Sequence, residues 1–93
     1  MEKTRDVSGS GPVSVDGKIV GHCAYEINVY KDVTGRVIGK GHALGDPAIL
    51  AKMHYGQRIQ LSQNEDKSFF VVTGDWSPGE RSISVEAGPD IDA

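Results

Sequence analysis

Cysteine, leucine and aromatic residues are scarce in this sequence, and their scarcity excludes several classes of protein. The single cysteine, Cys23, cannot form a disulfide within the chain, whereas secreted domains of this size usually depend on disulfides. Only 3 Leu stand against 10 Val and 7 Ile. Because β-branched side chains fit strands better than helices, this balance excludes a helical bundle and a coiled coil.

Long apolar runs and a surplus of positive charge are also missing. No run approaches the roughly 18 residues of a membrane span, and residues 1–11 lack the apolar segment of a signal peptide. The 10 Lys and Arg are scattered among 13 Asp and Glu, for a net charge of −3. Nucleic-acid binders normally carry a basic surface. We therefore expect a cytoplasmic protein without a membrane or nucleic-acid partner, which disfavours an OB-type nucleic-acid binder.

The length and the order of motifs predict one domain with a mainly β fold. A chain of 93 residues can bury one modest core, with no room beside it for a deep active site, so we expect no catalytic activity and no cofactor. Residues 1–11 mix charges with Ser and Gly and are interpreted as a flexible arm. Residues 12–87 form the predicted β-domain, and residues 88–93 form a loose acidic tail.

Two turn motifs predict the first hairpins. Asp16-Gly17 is typical of a two-residue hairpin turn. From Lys18 to Tyr30 the chain alternates in polarity, with Ile19 and Tyr25 among the residues of the inner face. The turn at residues 32–35 predicts a register in which large residues of one strand lie opposite small residues of the next. The predicted pairs are Val29 with Gly39, Ile27 with Gly41, and Tyr25 with Ala43.

One helix is predicted at residues 47–55. Asp46 is a suitable N-cap and Pro47 a suitable first helical residue. Gly56 is expected to end the helix in the left-handed conformation. Ile49, Leu50 and Met53 lie on one side of the helix and are expected to pack on the sheet.

The last third predicts a three-stranded meander with turns at residues 64–67 and 77–80. Tight turns at both places would put Ile59, Val72 and Val85 in one inner row. Phe69 and Val71 would then lie on the outer face. The whole chain is predicted to form a small antiparallel sheet or open barrel of five to six strands, with the helix closing one end.

Apolar residues on the outer face predict a contact with another protein chain. The candidate residues are Tyr30, Ile38, Phe69 and Val71, with Trp76 and Arg81 at the tip of the meander, where the two side chains could form a cation–π contact. Coverage by the N-terminal strand and the helix is the alternative interpretation. We expect a protein-interaction or self-associating module, most simply a homodimer.

A second hypothesis is a metal-binding or small-ligand-binding site on the same outer face. Glu26 is expected opposite His42, and His22 further along the same strand face. Imidazole and carboxylate groups are common metal ligands, but compact spacings such as C-x₂-C are absent. A solvated cross-strand pair is the alternative. Cys23 is predicted on the inner face, where a thiol is normally inert.

The segment Asp6-Val7-Ser8-Gly9-Ser10-Gly11 resembles one half of a known signature. It fits the D-x-S-x-x-G half of the cyclic-dinucleotide-binding signature of PilZ domains, which are also small β-barrels. The other half, an R-x-x-x-R pair just before it, is missing: position 1 is Met, and Arg5 adjoins Asp6. We do not assign the chain to this family.

Overall fold

A closed six-stranded antiparallel barrel is the fold of this protein in a computed structural model, which describes residues 2–64 and 67–92. The strands follow one another around the barrel in the order β1-β2-β3-β6-β5-β4. The elements are β1 (Glu2–Val15), β2 (Lys18–Lys31), β3 (Val37–Leu44), α1 (Pro47–Tyr55), β4 (Ile59–Asn64), β5 (Lys67–Thr73), β6 (Ser82–Ala87) and a C-terminal 3₁₀ turn (Pro89–Asp92). The prediction of a small, mainly β barrel is confirmed. Within the described ranges, no helix is long and apolar enough to cross a membrane.

The β1–β2 and β2–β3 hairpins form as their turn sequences predict. Asp16 and Gly17 have φ values of 52° and 88°, which a two-residue hairpin turn of this kind requires. In the second hairpin, Tyr25 lies opposite Ala43 and Ile27 opposite Gly41. The predicted register and its pairing of large with small residues are therefore confirmed.

Residues 2–11 belong to β1, so the prediction of a flexible arm is wrong for them. They pair with β2 from Glu2 opposite Lys31 onward. Their own sequence alternates weakly, and the long apolar-faced β2 supplies the partner that orders them. On its other side, β1 pairs with β4 only from Val13 to Val15. Pro12 comes just before this ladder and has no N–H to extend it.

A bulge in β2 changes the environment of Ile19. Val13 pairs with Gly21, but Ser14 pairs with Ile19, so Val20 is an extra residue on β2. The alternation therefore shifts by one residue at this point, and Ile19 is 69% exposed. The prediction that Ile19 faces the core is wrong.

Tyr25 is the largest fully buried side chain of the core and lies where the β1 and β4 strands separate. Its ring packs edge-on against Phe69, with ring centroids 5.4 Å apart. Its hydroxyl donates a hydrogen bond of 2.9 Å to the carbonyl oxygen of Ser62. The side chain thus satisfies a backbone acceptor of β4 just beyond the β1–β4 ladder.

Helix α1 covers one end of the barrel over the predicted residues. The Asp46 carboxylate accepts a hydrogen bond of 2.8 Å from the Ala48 N–H, and Leu50 and Met53 are fully buried. Gly56 does not adopt the left-handed conformation that the sequence predicts, since its φ is −81°. A glycine is needed there for a different reason: a β-carbon would overlap the Val15 side chain.

Strand β5 faces the opposite way from the prediction. Ile59 pairs with Val71 rather than with Val72, and Val85 pairs with Thr73. Asn64 pairs with Lys67 as expected, but a bulge between Ser62 and Asn64 then shifts the ladder by one residue. Because strand side chains alternate, this shift exchanges the two faces of β5.

The C-terminal turn is part of the fold, which corrects the prediction of a loose tail for residues 89–92. Ile91 is completely buried. The Arg5 guanidinium donates a hydrogen bond of 3.1 Å to its carbonyl oxygen. The Asp90 carboxylate accepts one of 2.8 Å from the Phe70 N–H. The turn therefore covers the part of β5 that β6, which ends at Ala87, does not reach.

We expect Gly41→Ala to destabilise the barrel strongly. A β-carbon on Gly41 would overlap the Glu26 carbonyl oxygen of the paired strand, so the two strands would have to separate. The free energy of unfolding should fall by about 3 kcal/mol or more, measured by urea denaturation. Gly88→Ala is the matched control, since the nearest atom to its β-carbon is 3.8 Å away. Equal stability of the two variants would contradict this account of β3.

We also expect Ile91→Ala to lower the free energy of unfolding by about 3 kcal/mol, because it leaves a cavity in the core. Val33→Ala is the control, since Val33 is 99% exposed and its truncation should change stability by less than about 0.5 kcal/mol. Thermal unfolding of both variants provides the measurement. Similar midpoints would show that the C-terminal turn does not contribute to the core.

Candidate functional site

The outer surface of β5 carries two neighbouring apolar side chains that are open to solvent. Phe70 is 43% exposed and Val72 is 71% exposed. The adjacent strand β6 follows the usual alternation, since its outward residues are Ser82, Ser84 and Glu86. We call the surface formed by Arg58, Phe70, Val72 and Glu86 the β5 face. The β5 face departs from the pattern that β6 follows, in which apolar side chains point inward and polar side chains point outward.

Arg58 lies at one side of the β5 face and is held there by the β1–β2 turn. Its N–H donates to the Asp16 carboxylate at 2.9 Å, and its carbonyl accepts from the Asp16 N–H at 2.8 Å. Its guanidinium lies over the Phe70 ring, 5.3 Å from the centroid, a cation–π geometry. The backbone of Phe70 is held in turn by Asp90. Both side chains therefore project from fixed backbone positions.

Glu86 lies at the other side, directly opposite Val72 on β6. A shallow groove of about 170 Å³ follows this side of the strand pair. It is lined by Val72, Thr73, Gly74, Ser84, Val85 and Glu86. The Gly74 N–H donates to the Ser84 carbonyl at 2.8 Å, which keeps the two strands together along the groove.

Among the described residues, neither charge of the β5 face forms an ion pair, although Lys40 of β3 lies directly opposite Glu86. In the part of the chain that the structure describes, the ion pair is Lys3 with Asp6, at 2.9 Å on β1. Neither Arg58 nor Glu86 has an oppositely charged group within 4.0 Å among those residues. The face thus presents a positive group and a negative group on opposite sides of an apolar pair.

Phe69 and Val71 do not lie on the outer face, so the prediction that placed them there is wrong. Phe69 is completely buried and Val71 nearly so, because the β4 bulge turns them inward. Phe70 and Val72 take their places outside. The run of four apolar residues at 69–72 was the available signal, since a strand with only one buried face must expose two of them.

The other predicted partner residues lie apart from Phe70 and Val72. Tyr30 and Ile38 pair across β2 and β3, and both are half-buried. Trp76 is also half-buried: its indole N–H donates to the Glu80 carbonyl at 3.0 Å, and its ring lies 5.8 Å from that of His54. Contacts with Glu80 and His54 thus replace the expected contact between Trp76 and Arg81. Arg81 is exposed.

The predicted histidine cluster is only partly assembled. Glu26 pairs with His42, and both line a groove of about 440 Å³ across β2, β3 and β6. His22 is four residues from Glu26 along β2, a separation of about 13 Å in a strand. Over residues 2–64 and 67–92, no group of three or more His, Cys, Asp or Glu is arranged to hold a metal ion.

The segment from Asp6 to Gly11 lies within the β1–β2 ladder, with Asp6 opposite Asn28 and Ser8 opposite Glu26.

In comparisons with known proteins, the chain matches no family model, no curated protein and no solved structure.

Cys23 is the one thiol of the chain and lies in the core. Burial raises its pKa from 9.0 to about 11, because the surrounding apolar groups disfavour the thiolate. The thiolate is the nucleophilic form of cysteine. The thiol is therefore held in its unreactive form at neutral pH.

We expect Cys23 to resist alkylation by iodoacetamide at pH 8 in the folded protein and to react readily in urea. The raised pKa also makes stability fall with pH between about 9 and 11, because only the unfolded chain loses its thiol proton there. Cys23→Ser should weaken this pH dependence. Mass spectrometry measures the alkylation, and denaturation at several pH values measures the change in stability. Rapid alkylation of the folded chain would contradict the buried, protonated state.

Proposed function

We propose that this protein is a non-catalytic module that binds another protein chain through the β5 face. The observation that carries the proposal is the exposure of Phe70 and Val72 side by side, between Arg58 and Glu86. Exposed apolar surface next to charged groups is typical of protein contacts. The single buried thiol suits a reducing, cytoplasmic compartment.

The chemistry of the face supports a protein partner over a small ligand. Aromatic residues and arginine are enriched among the residues that dominate binding energy in protein interfaces. The groove beside Val72 is shallow and small, whereas small-molecule pockets usually enclose most of their ligand. A flat apolar pair with fixed backbone positions is suited to a protein surface of matching shape.

The fold does not require this apolar pair. Phe69 and Val71 fill the core from the same strand, so polar residues at positions 70 and 72 would leave the buried contacts intact. Burial of both side chains against a partner would remove apolar area from water, which is favourable at about 25 cal/mol per Å². Burial against a partner would therefore add to the energy that these two side chains contribute in the isolated chain.

A photo-crosslinking amino acid at position 72 tests the proposal. We expect p-benzoylphenylalanine at this position to form a protein adduct on irradiation in cells that express the chain. The same group at position 33 is the control, because Val33 is 99% exposed but lies in the β2–β3 turn away from the β5 face. Mass spectrometry identifies the adduct.

Specificity is checked by adding Phe70→Ser to the chain that carries the crosslinker at position 72. This variant should remain folded by circular dichroism and lose most of the adduct, since it removes the neighbouring apolar group. The absence of any position-72 protein adduct, or equal adducts from positions 72 and 33, would overturn the proposal.

A further inference from the structure

We infer that the partner of the β5 face is a second copy of this chain, related to the first by a two-fold axis that runs along β5. This inference rests on the proposed function and names its partner. It follows from the positions of Arg58 and Glu86 relative to the apolar pair.

Arg58 and Glu86 lie on opposite sides of the apolar pair, with the Arg58 guanidinium beside Phe70 and Glu86 beside Val72. Val72 pairs with Glu86 of β6. Ile59 of β4 pairs with Val71, which places Arg58, one residue earlier, on the opposite side of Val72. Neighbouring strands are about 4.8 Å apart, so the backbones of Arg58 and Glu86 are each one strand from Val72. A two-fold interface requires a surface that is complementary to itself.

The charges distinguish between two orientations of the two-fold axis in the plane of the contact, one across the strands and one along β5. An axis across the strands would bring each charge next to its own counterpart, so that like charges would face each other. An axis along β5 keeps Phe70 and Val72 opposite their counterparts and places each Arg58 opposite the partner's Glu86. The second arrangement forms two ion pairs at the edges of an apolar centre, the usual layout of a protein interface.

The size of the chain is compatible with such a dimer. A small specific interface buries roughly 600 Å² on each partner. This area is about a tenth of the 5672 Å² of accessible surface of the chain.

Charge reversal tests the arrangement with the purified full chain. In a dimer of the Arg58→Glu variant, the new glutamate of each copy faces Glu86 of the other copy. In a dimer of the Glu86→Arg variant, the new arginine of each copy faces Arg58 of the other copy. Each variant alone should dimerise roughly tenfold to a hundredfold more weakly than the wild-type chain. An equimolar mixture of the two variants restores opposite charges at both contacts. We therefore expect the mixture to form a heterodimer of nearly wild-type affinity, measured by sedimentation equilibrium.

Lys18→Glu and Glu2→Arg are the matched controls, since they make the same charge changes at exposed positions outside the β5 face and should leave the dissociation constant unchanged. Circular dichroism confirms that all variants are folded. A wild-type chain that stays monomeric at millimolar concentration would overturn the inference, as would a mixture that fails to restore the dimer. If position 72 nevertheless forms adducts with a different protein, the proposed binding function stands and only the identity of the partner is wrong.

Discussion

A barrel made of a single sheet has one inside, and this constraint acts most strongly on β5. Its central residues, Phe69 to Val72, are all apolar, but consecutive side chains of a strand point to opposite faces. Either register therefore leaves one Phe and one Val in solvent. The bulge in β4 selects the register that buries Phe69 against Tyr25 and exposes Phe70 and Val72. The composition of the core and the composition of the candidate site are thus determined by the same pairing.

The tilt of the strands explains why the exposed pair has charged neighbours on both sides. β4 pairs with the first part of β5, and β6 pairs with the last part, so both strands flank β5 only near Val71 and Val72. Such stagger is a general consequence of barrel closure. At this point β4 begins and β6 ends. Arg58 and Glu86 therefore come level with each other although they are far apart in sequence.

Local turn chemistry allowed much of the fold to be predicted, and non-local contacts account for the errors. The β2–β3 register followed from its turn and from the match of Ile27 with Gly41. The β5 register did not, because the β4 bulge is an irregularity that the turn sequence does not encode. The order of residues 2–11 comes from pairing with β2. Similarly, Ile91 is a lone apolar residue whose burial depends on the gap beyond β6.

The same strand geometry explains why the predicted histidine site is dispersed and why the residues of the β5 face lie close together. Residues that share a strand face are separated by about 6.6 Å for every two positions, which carries His22 away from Glu26 and His42. Residues on adjacent strands are closer, and the β5 face draws Arg58, Val72 and Glu86 from three neighbouring strand positions. The β5 face therefore runs across the strands. In the sequence its residues are about 14 positions apart, so spacing along the chain gives little sign of it.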